Sequence, residues 1–86
     1  MISRMNTPLA SDGFAERLKL ARAHRALTYR ALGEGAGISH TAVQHLEAGA
    51  SSPSLTNCER LAAALGVRAS WLAFGEGRAP AWAASG

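Results

Sequence analysis

Four side chains that form hydrogen bonds recur at helical spacing near the middle of the chain: His40, Thr41, Gln44 and His45. On an α-helix, which turns about 100° per residue, they share one side, and the opposite side carries Ala42, Val43, Leu46 and Glu47. A polar helix side of this kind fits the major groove of DNA, where base edges present distinguishable donors and acceptors. Gln44 can pair with adenine through two hydrogen bonds, and Thr41 can contact a thymine methyl group or a phosphate. These four residues are therefore candidates for contact with bases.

The same polar side has a plainer interpretation as the solvated face of an amphipathic helix, which is the commoner case for an arbitrary helix. The preceding residues favour binding, because residues 28–49 predict two short helices joined by a tight turn. Gly33 is small enough for the second helix to cross over it, and Gly37 lies where the turn needs a positive φ. Inward-facing apolar positions are expected at Leu32, Ile38, Val43 and Leu46.

The elements that position this pair of helices are all helical. Apolar periodicity predicts five helices, over residues 14–25, 29–36, 40–48, 55–65 and 67–74. N-caps are expected at Ser11 or Asp12, Thr28, Ser39 and Ser54, and helix ends at Gly49 and Gly66. The fourth helix carries one apolar stripe made of Leu55, Cys58, Leu61, Ala62 and Leu65. We expect an all-α fold with a flexible arm over residues 1–12, one domain over 13–75 and a tail over 76–86.

Bulk composition is compatible with this interpretation. The chain has 86 residues, of which 48% are hydrophobic, and a formal net charge of +3. A sequence of this size and apolar content forms one folded domain, and its mildly basic character suits a nucleic-acid partner. A single Cys excludes an internal disulfide and is compatible with a reducing compartment. Neither a membrane span nor a signal peptide is evident, so a cytoplasmic location is expected.

At the level of families, the chain resembles the lambda-repressor/Cro-like helix-turn-helix proteins, also called the XRE family. The resemblance rests on the segments ERLKLARAHRALT, LGEGAGIS, VQHLEAG, PSL, LAAALGV and WLAFGEG, in this order between residues 16 and 77. It implies a compact five-helix domain that binds operator DNA sequence-specifically, usually as a homodimer. The base-reading positions of the family correspond to His40, Thr41, Gln44 and His45. The residues expected to meet the DNA backbone are Tyr29, Arg30, Ser39 and Ser51.

The resemblance also implies an ion pair between Arg22 and Glu47. Three departures from the family pattern stand out. Ala26 occupies a position that is usually Gly, and Gly33 one that is more often Ala. The loop at residues 50–52 has no charge, where Lys or Arg is usual. Because each lost phosphate contact lowers affinity and salt dependence, DNA binding is expected to be modest.

The C-terminal part of the chain carries the large apolar residues Trp71, Phe74 and Trp82. These are candidates for a homodimer contact. For Trp82, folding back onto its own domain is an equal alternative. Leu20 lies opposite the apolar stripe of the first helix and is expected to be exposed.

The function expected from these observations is that of a transcriptional regulator, with repression as its mode of action. The alternative, from a different class, is a protein-interaction module, such as an antitoxin-like partner binder, that keeps the fold with weak or no DNA binding. An enzyme is not expected, since no acid–base or nucleophile constellation is present. His40 and His45 are five residues apart, the wrong spacing for a shared metal on one helix, and Cys58 falls on a core stripe. No metal or cofactor is therefore expected.

Overall fold

The computed structural model describes residues 13–84, and all regular secondary structure in that range is helical. The helices are α1 (Phe14–His24), α2 (Tyr29–Ala36), α3 (His40–Glu47), α4 (Leu55–Leu65), α5 (Ala69–Phe74) and α6 (Ala81–Ala84). The all-α fold is confirmed, and the first five helices correspond to the predicted ones. The sixth, α6, was not predicted. No helix within the described range is long and apolar enough to cross a bilayer.

Hydroxyl groups begin three of the helices, as the sequence predicts. The side-chain oxygens of Thr28, Ser39 and Ser54 each accept a hydrogen bond, at 3.0 Å, from the N–H three residues further on. Each such cap stabilises its helix by about 1 kcal/mol. The start of α1 differs, because its N-cap is Gly13, which has no side chain to accept such a bond. The predicted caps Ser11 and Asp12 lie outside the described residues.

Left-handed residues end the helices. Gly37 and Gly66 follow α2 and α4 with φ of 78° and 73°, as the sequence predicts. Ala26 adopts φ 56° after α1 without being glycine. The fifth helix starts at Ala69 rather than at residue 67, because Val67 donates its N–H to the carbonyl of Ala62 and so closes the end of α4.

The core lies where α2 packs against α3 and α4, and where α1 packs against α3 and α5. Its largest fully buried side chains are Phe14, Leu18, Leu32, Val43, Leu61 and Leu72. Cys58 is buried, as predicted, whereas Ile38 is only partly buried against the core. The assignment of Leu55 to the core stripe of α4 is wrong, since this residue is 68% exposed. It lies in the first turn, about 70° from the centre of the buried stripe at 100° per residue.

The C-terminal segment folds back onto the domain. The ring of Trp82 stacks on that of His24, with centroids 4.4 Å apart and planes at 13°. It also meets the ring of Trp71 edge-on, with centroids 5.9 Å apart. Aromatic pairs in these arrangements add about 0.5–1.5 kcal/mol each beyond their burial. Trp82 therefore packs within its own chain, the second of the two alternatives, and residues 79–83 belong to the packed structure.

Two of the three dimer candidates are thereby used within the chain. Trp71 is only 7% exposed and belongs to the core, which leaves little of it for contact with a second chain. Phe74 is 45% exposed and Leu20 is 55% exposed. These two side chains present the apolar surface of the α1 and α5 region to solvent.

Candidate nucleic-acid interface

The crossing of α2 and α3 depends on the absence of a side chain at Gly33. A Cβ atom placed there would lie 2.6 Å from the carbonyl oxygen of Ile38 and 3.2 Å from the carbonyl carbon of Ser39. The Gly33 carbonyl accepts a hydrogen bond from the Ile38 N–H at 2.9 Å. Together with Gly37 in the left-handed conformation, this contact sets the start of α3 directly against α2. The predicted helix-turn-helix is therefore present.

The α3 helix divides into two faces. Val43, Leu46 and Glu47 are buried. The predicted base-contact residues lie together on the exposed face: His40, Thr41, Gln44 and His45. The α3 helix ends at Glu47, one residue earlier than predicted, and it still contains all four residues. The arrangement presents a row of hydrogen-bonding groups to solvent from a helix whose other side is fixed in the core.

An ion pair holds α3 to α1. Arg22 donates from Nε to Oε2 of Glu47 at 2.5 Å and from Nη2 to Oε1 at 3.1 Å. Its Nη1 donates to the Leu27 carbonyl at 2.9 Å. The pair implied by the family resemblance is thus present, with the Glu47 side chain 3% exposed and that of Arg22 19% exposed. The hydrogen bond to Glu47 raises the pKa of Arg22, so its charge is permanent.

The candidate backbone contacts lie on different elements. Tyr29 begins α2 and is half-buried, with the guanidinium carbon of Arg22 4.3 Å from its ring centre. Arg30 follows it and is exposed, as is Ser51 in the loop after α3. The Ser39 oxygen accepts the capping hydrogen bond, which leaves its hydroxyl proton to donate. These four residues are not brought to one point. They lie at the start of α2, at the start of α3 and in the loop after α3.

Sequence reasoning did not single out Arg17. Its Nε and Nη2 donate to the carbonyls of Leu72 and Ala73, each at 3.0 Å. These carbonyls belong to the last turn of α5, where a helix leaves such groups unpaired. No local sequence signal marks this contact, since it joins residues from the two ends of the domain.

Comparison with known proteins agrees with this geometry. A helix-turn-helix family model, HTH_3, matches residues 18–72. The HTH-type transcriptional regulator PrtR of Pseudomonas aeruginosa is 43% identical over 76 residues, which are 88% of this chain and 29% of that regulator. The chain thus spans less than a third of the length of that relative.

Two solved structures share the fold. The restriction-modification controller protein C.AhdI from Aeromonas hydrophila matches with a TM-score of 0.67 and 30% identity, over 74% of this chain and 94% of that one. The P22 c2 repressor protein, in complex with the synthetic operator 9T, matches with a TM-score of 0.70 and 27% identity, over 81% of this chain and 100% of that one. The chain therefore belongs to the HTH_3 family of helix-turn-helix proteins.

Proposed function

We propose that the protein binds operator DNA sequence-specifically by inserting α3 into the major groove. The observation that carries this proposal is the exposed polar row on α3, opposite a face that is buried and fixed to α1 by the Arg22–Glu47 pair. A helix held in this way can present side chains to base edges without the loss of conformational entropy that a mobile helix would suffer on binding. The P22 c2 repressor, which shares the fold, has been solved in complex with a synthetic operator, and this supports DNA binding by the present chain.

The row assigns different tasks to its members. Gln44 pairs with adenine through its amide oxygen and nitrogen, and His40 and His45 donate to or accept from neighbouring bases or phosphates. Thr41 packs its methyl group against thymine or donates to a phosphate. Contacts with the sugar–phosphate backbone position the domain on the DNA, as in most protein–DNA complexes. The residues proposed to make them are Tyr29, Arg30, Ser39 and Ser51.

We further propose that the protein acts as a homodimer and a repressor. One short helix reads few base pairs, so useful specificity needs two copies that read half-sites about 34 Å apart. Phe74 and Leu20 are the exposed apolar side chains that such a contact would cover. A dimer occupying an operator within a promoter blocks access to it, and the P22 c2 relative is itself named a repressor.

A binding selection from random-sequence DNA, followed by mobility-shift titration on the selected site, tests the proposal. Gln44→Ala and His40→Ala should each weaken binding by about 1–3 kcal/mol while non-specific binding persists, because base contacts carry specificity and phosphate contacts do not. Thr41 and Thr56 form a matched pair, because each is the second residue of a helix that begins after a Ser cap. Thr41→Ala on α3, which removes both the methyl group and the hydroxyl, should weaken specific binding, and Thr56→Ala on α4 should not.

The uncharged loop at residues 50–52 keeps the protein-interaction module as the second candidate function. In that case the wild-type chain would bind neither selected nor bulk DNA even at low salt. Equal binding of wild type and the Gln44→Ala variant to every duplex would also count against sequence-specific recognition.

A further inference from the structure

Three arginines surround the turn between α4 and α5. Arg68 and Arg78 line a groove of about 240 Å³, whose other walls are Gly66, Val67, Ala79, Pro80 and Ala81. The Arg25 side chain lies against the same turn, since a Cβ atom placed on Gly66 would be 3.3 Å from Nη1 of Arg25. The part of the lining that the structure describes contains no carboxylate. The groove is therefore a concentration of positive charge from three separate parts of the chain.

These three arginines form no ion pair in the described part of the chain. Over residues 13–83 the ion pair found is that of Arg22 with Glu47. Arg25, Arg68 and Arg78 are all exposed and make no ion pair within that range. Like charges held around one groove repel one another, so an anion seated between them would be stabilised.

The groove exists because the C-terminal segment is docked. Residues 78–81 form one wall, and Trp82 follows directly. The stacking of Trp82 on His24 and its edge contact with Trp71 hold this segment against α1 and α5. Arg78 is therefore brought to Arg68 by aromatic packing rather than by the local turn.

We propose that this groove binds a phosphate of the DNA backbone beside the operator half-site, an inference that rests on the proposed function. Arg25 is the C-cap of α1, four residues before Tyr29, and therefore lies within about 14 Å of the start of α2, which we propose to contact the DNA backbone. The guanidinium group is the side chain best suited to phosphate, because its fork of donors can bind two oxygens. The groove supplies the positive charge that the loop at residues 50–52 lacks.

The salt dependence of binding tests this proposal. The variant Arg68→Gln/Arg78→Gln should lower the slope of log affinity against log salt by up to about 2, since each phosphate contact contributes about 0.9. The effect should appear on a selected duplex extended by one helical turn on each side and vanish on a duplex trimmed to the half-sites. Base preference should not change. The matched control Lys19→Gln/Arg60→Gln removes the same net charge elsewhere and should lower the slope much less.

A variant that changes no charge distinguishes the effect of the groove on DNA binding from the effect of net charge. Trp82→Ala should release residues 78–81 and lower the slope on the long duplex, although it removes no charge. Thermal melting verifies that the domain remains folded. Unchanged slopes for both variants on the long duplex would overturn the proposal while leaving the proposed function intact.

A third arm identifies the source of the anion. Titration of inorganic phosphate into the DNA-free protein, followed by tryptophan fluorescence, should show no saturable binding at millimolar concentration. Saturable binding that is lost in Arg68→Gln/Arg78→Gln, without dependence on flanking DNA, would overturn the DNA assignment in favour of a free anion. A wild-type chain that binds no duplex at low salt would overturn this proposal and the proposed function together.

Discussion

The carboxylate of Glu47 and the guanidinium of Arg22 face each other through two hydrogen bonds, Nε to Oε2 at 2.5 Å and Nη2 to Oε1 at 3.1 Å. The pair joins the last residue of α3 to the last turn of α1. Arg22 also binds the Leu27 carbonyl and lies over the Tyr29 ring, so one side chain links α1, α3 and the corner before α2. The Arg22–Glu47 pair thus fixes the end of the proposed recognition helix, whose start is set by the contacts of Gly33 and Gly37.

Removal of one partner of this pair should be strongly destabilising. Glu47→Ala is expected to lower the free energy of unfolding by about 2–4 kcal/mol, because the partly buried Arg22 guanidinium would lose its carboxylate partner. Arg22→Ala should cost at least as much, since it also leaves the Leu27 carbonyl unpaired. Thermal and urea melts of both variants and of the double variant measure the coupling.

The exposed glutamate Glu59 on α4 provides the matched control for these Arg22 and Glu47 variants. Glu59→Ala should change stability by less than about 0.5 kcal/mol. The double variant of Arg22 and Glu47 should be clearly more stable than the sum of the two single losses predicts. Strict additivity would show that the two side chains do not stabilise each other.

Two glycines of α2 should respond in opposite directions to the same substitution. Gly33→Ala would place a Cβ 2.6 Å from the Ile38 carbonyl oxygen, so the backbone of the turn must shift. We expect a loss of about 1–3 kcal/mol and weaker DNA binding. At Gly35 the added Cβ would meet only the Cβ of Ala64, at an ordinary 3.5 Å. Gly35→Ala should therefore stabilise the protein by up to about 1 kcal/mol.

Equal effects of Gly33→Ala and Gly35→Ala on the melting temperature would mean that helix propensity, and not the close approach at Gly33, determines the change in stability. A stabilised Gly33→Ala variant with unchanged DNA affinity would show that α3 can move away from α2 without harm to recognition.

Most of the helix-turn-helix could be predicted from the sequence because its determinants are local. Thr28, Ser39 and Ser54 cap helices through contacts three residues away, and Gly37 fixes its turn through its own φ. The exposed row on α3 follows from periodicity within one helix. Whether this row contacts DNA stays a prediction, since it concerns a partner rather than the chain.

The C-terminal segment could not be predicted, for the opposite reason. Residues 76–86 are rich in Gly and Ala and have no apolar period of their own. The place of residues 78–83 is decided by the contact of Trp82 with His24 and Trp71, which are distant in sequence. The exposure of Leu55 escaped prediction similarly, because periodicity does not reveal whether a neighbouring helix covers the first turn of α4.

Ala26 offers a test of backbone strain. Its φ of 56° places it in the left-handed region, where an L side chain costs about 1–2 kcal/mol. Ala26→Gly relieves this strain but increases the freedom of the unfolded chain, so the expected net gain is about 0.5–1 kcal/mol. The matched control Ala23→Gly, at an exposed position in the last turn of α1, should lose up to about 1 kcal/mol. A destabilised Ala26→Gly variant would contradict the assigned strain.

Because the Cys58 thiol is buried, the free energy of unfolding should depend on pH in the alkaline range. Burial raises the pKa of this thiol, and the nearby Glu59 carboxylate adds to the shift. In the unfolded chain the thiol loses its proton near its ordinary pKa of about 8.5. The folded chain therefore holds the proton to higher pH, and stability falls as pH rises from about 8.5 towards the raised pKa. Urea melts across this range, compared with Cys58→Ala, should show the stability gap between the two proteins narrowing. A gap that stays constant to pH 10 would mean that the thiol titrates alike in both states.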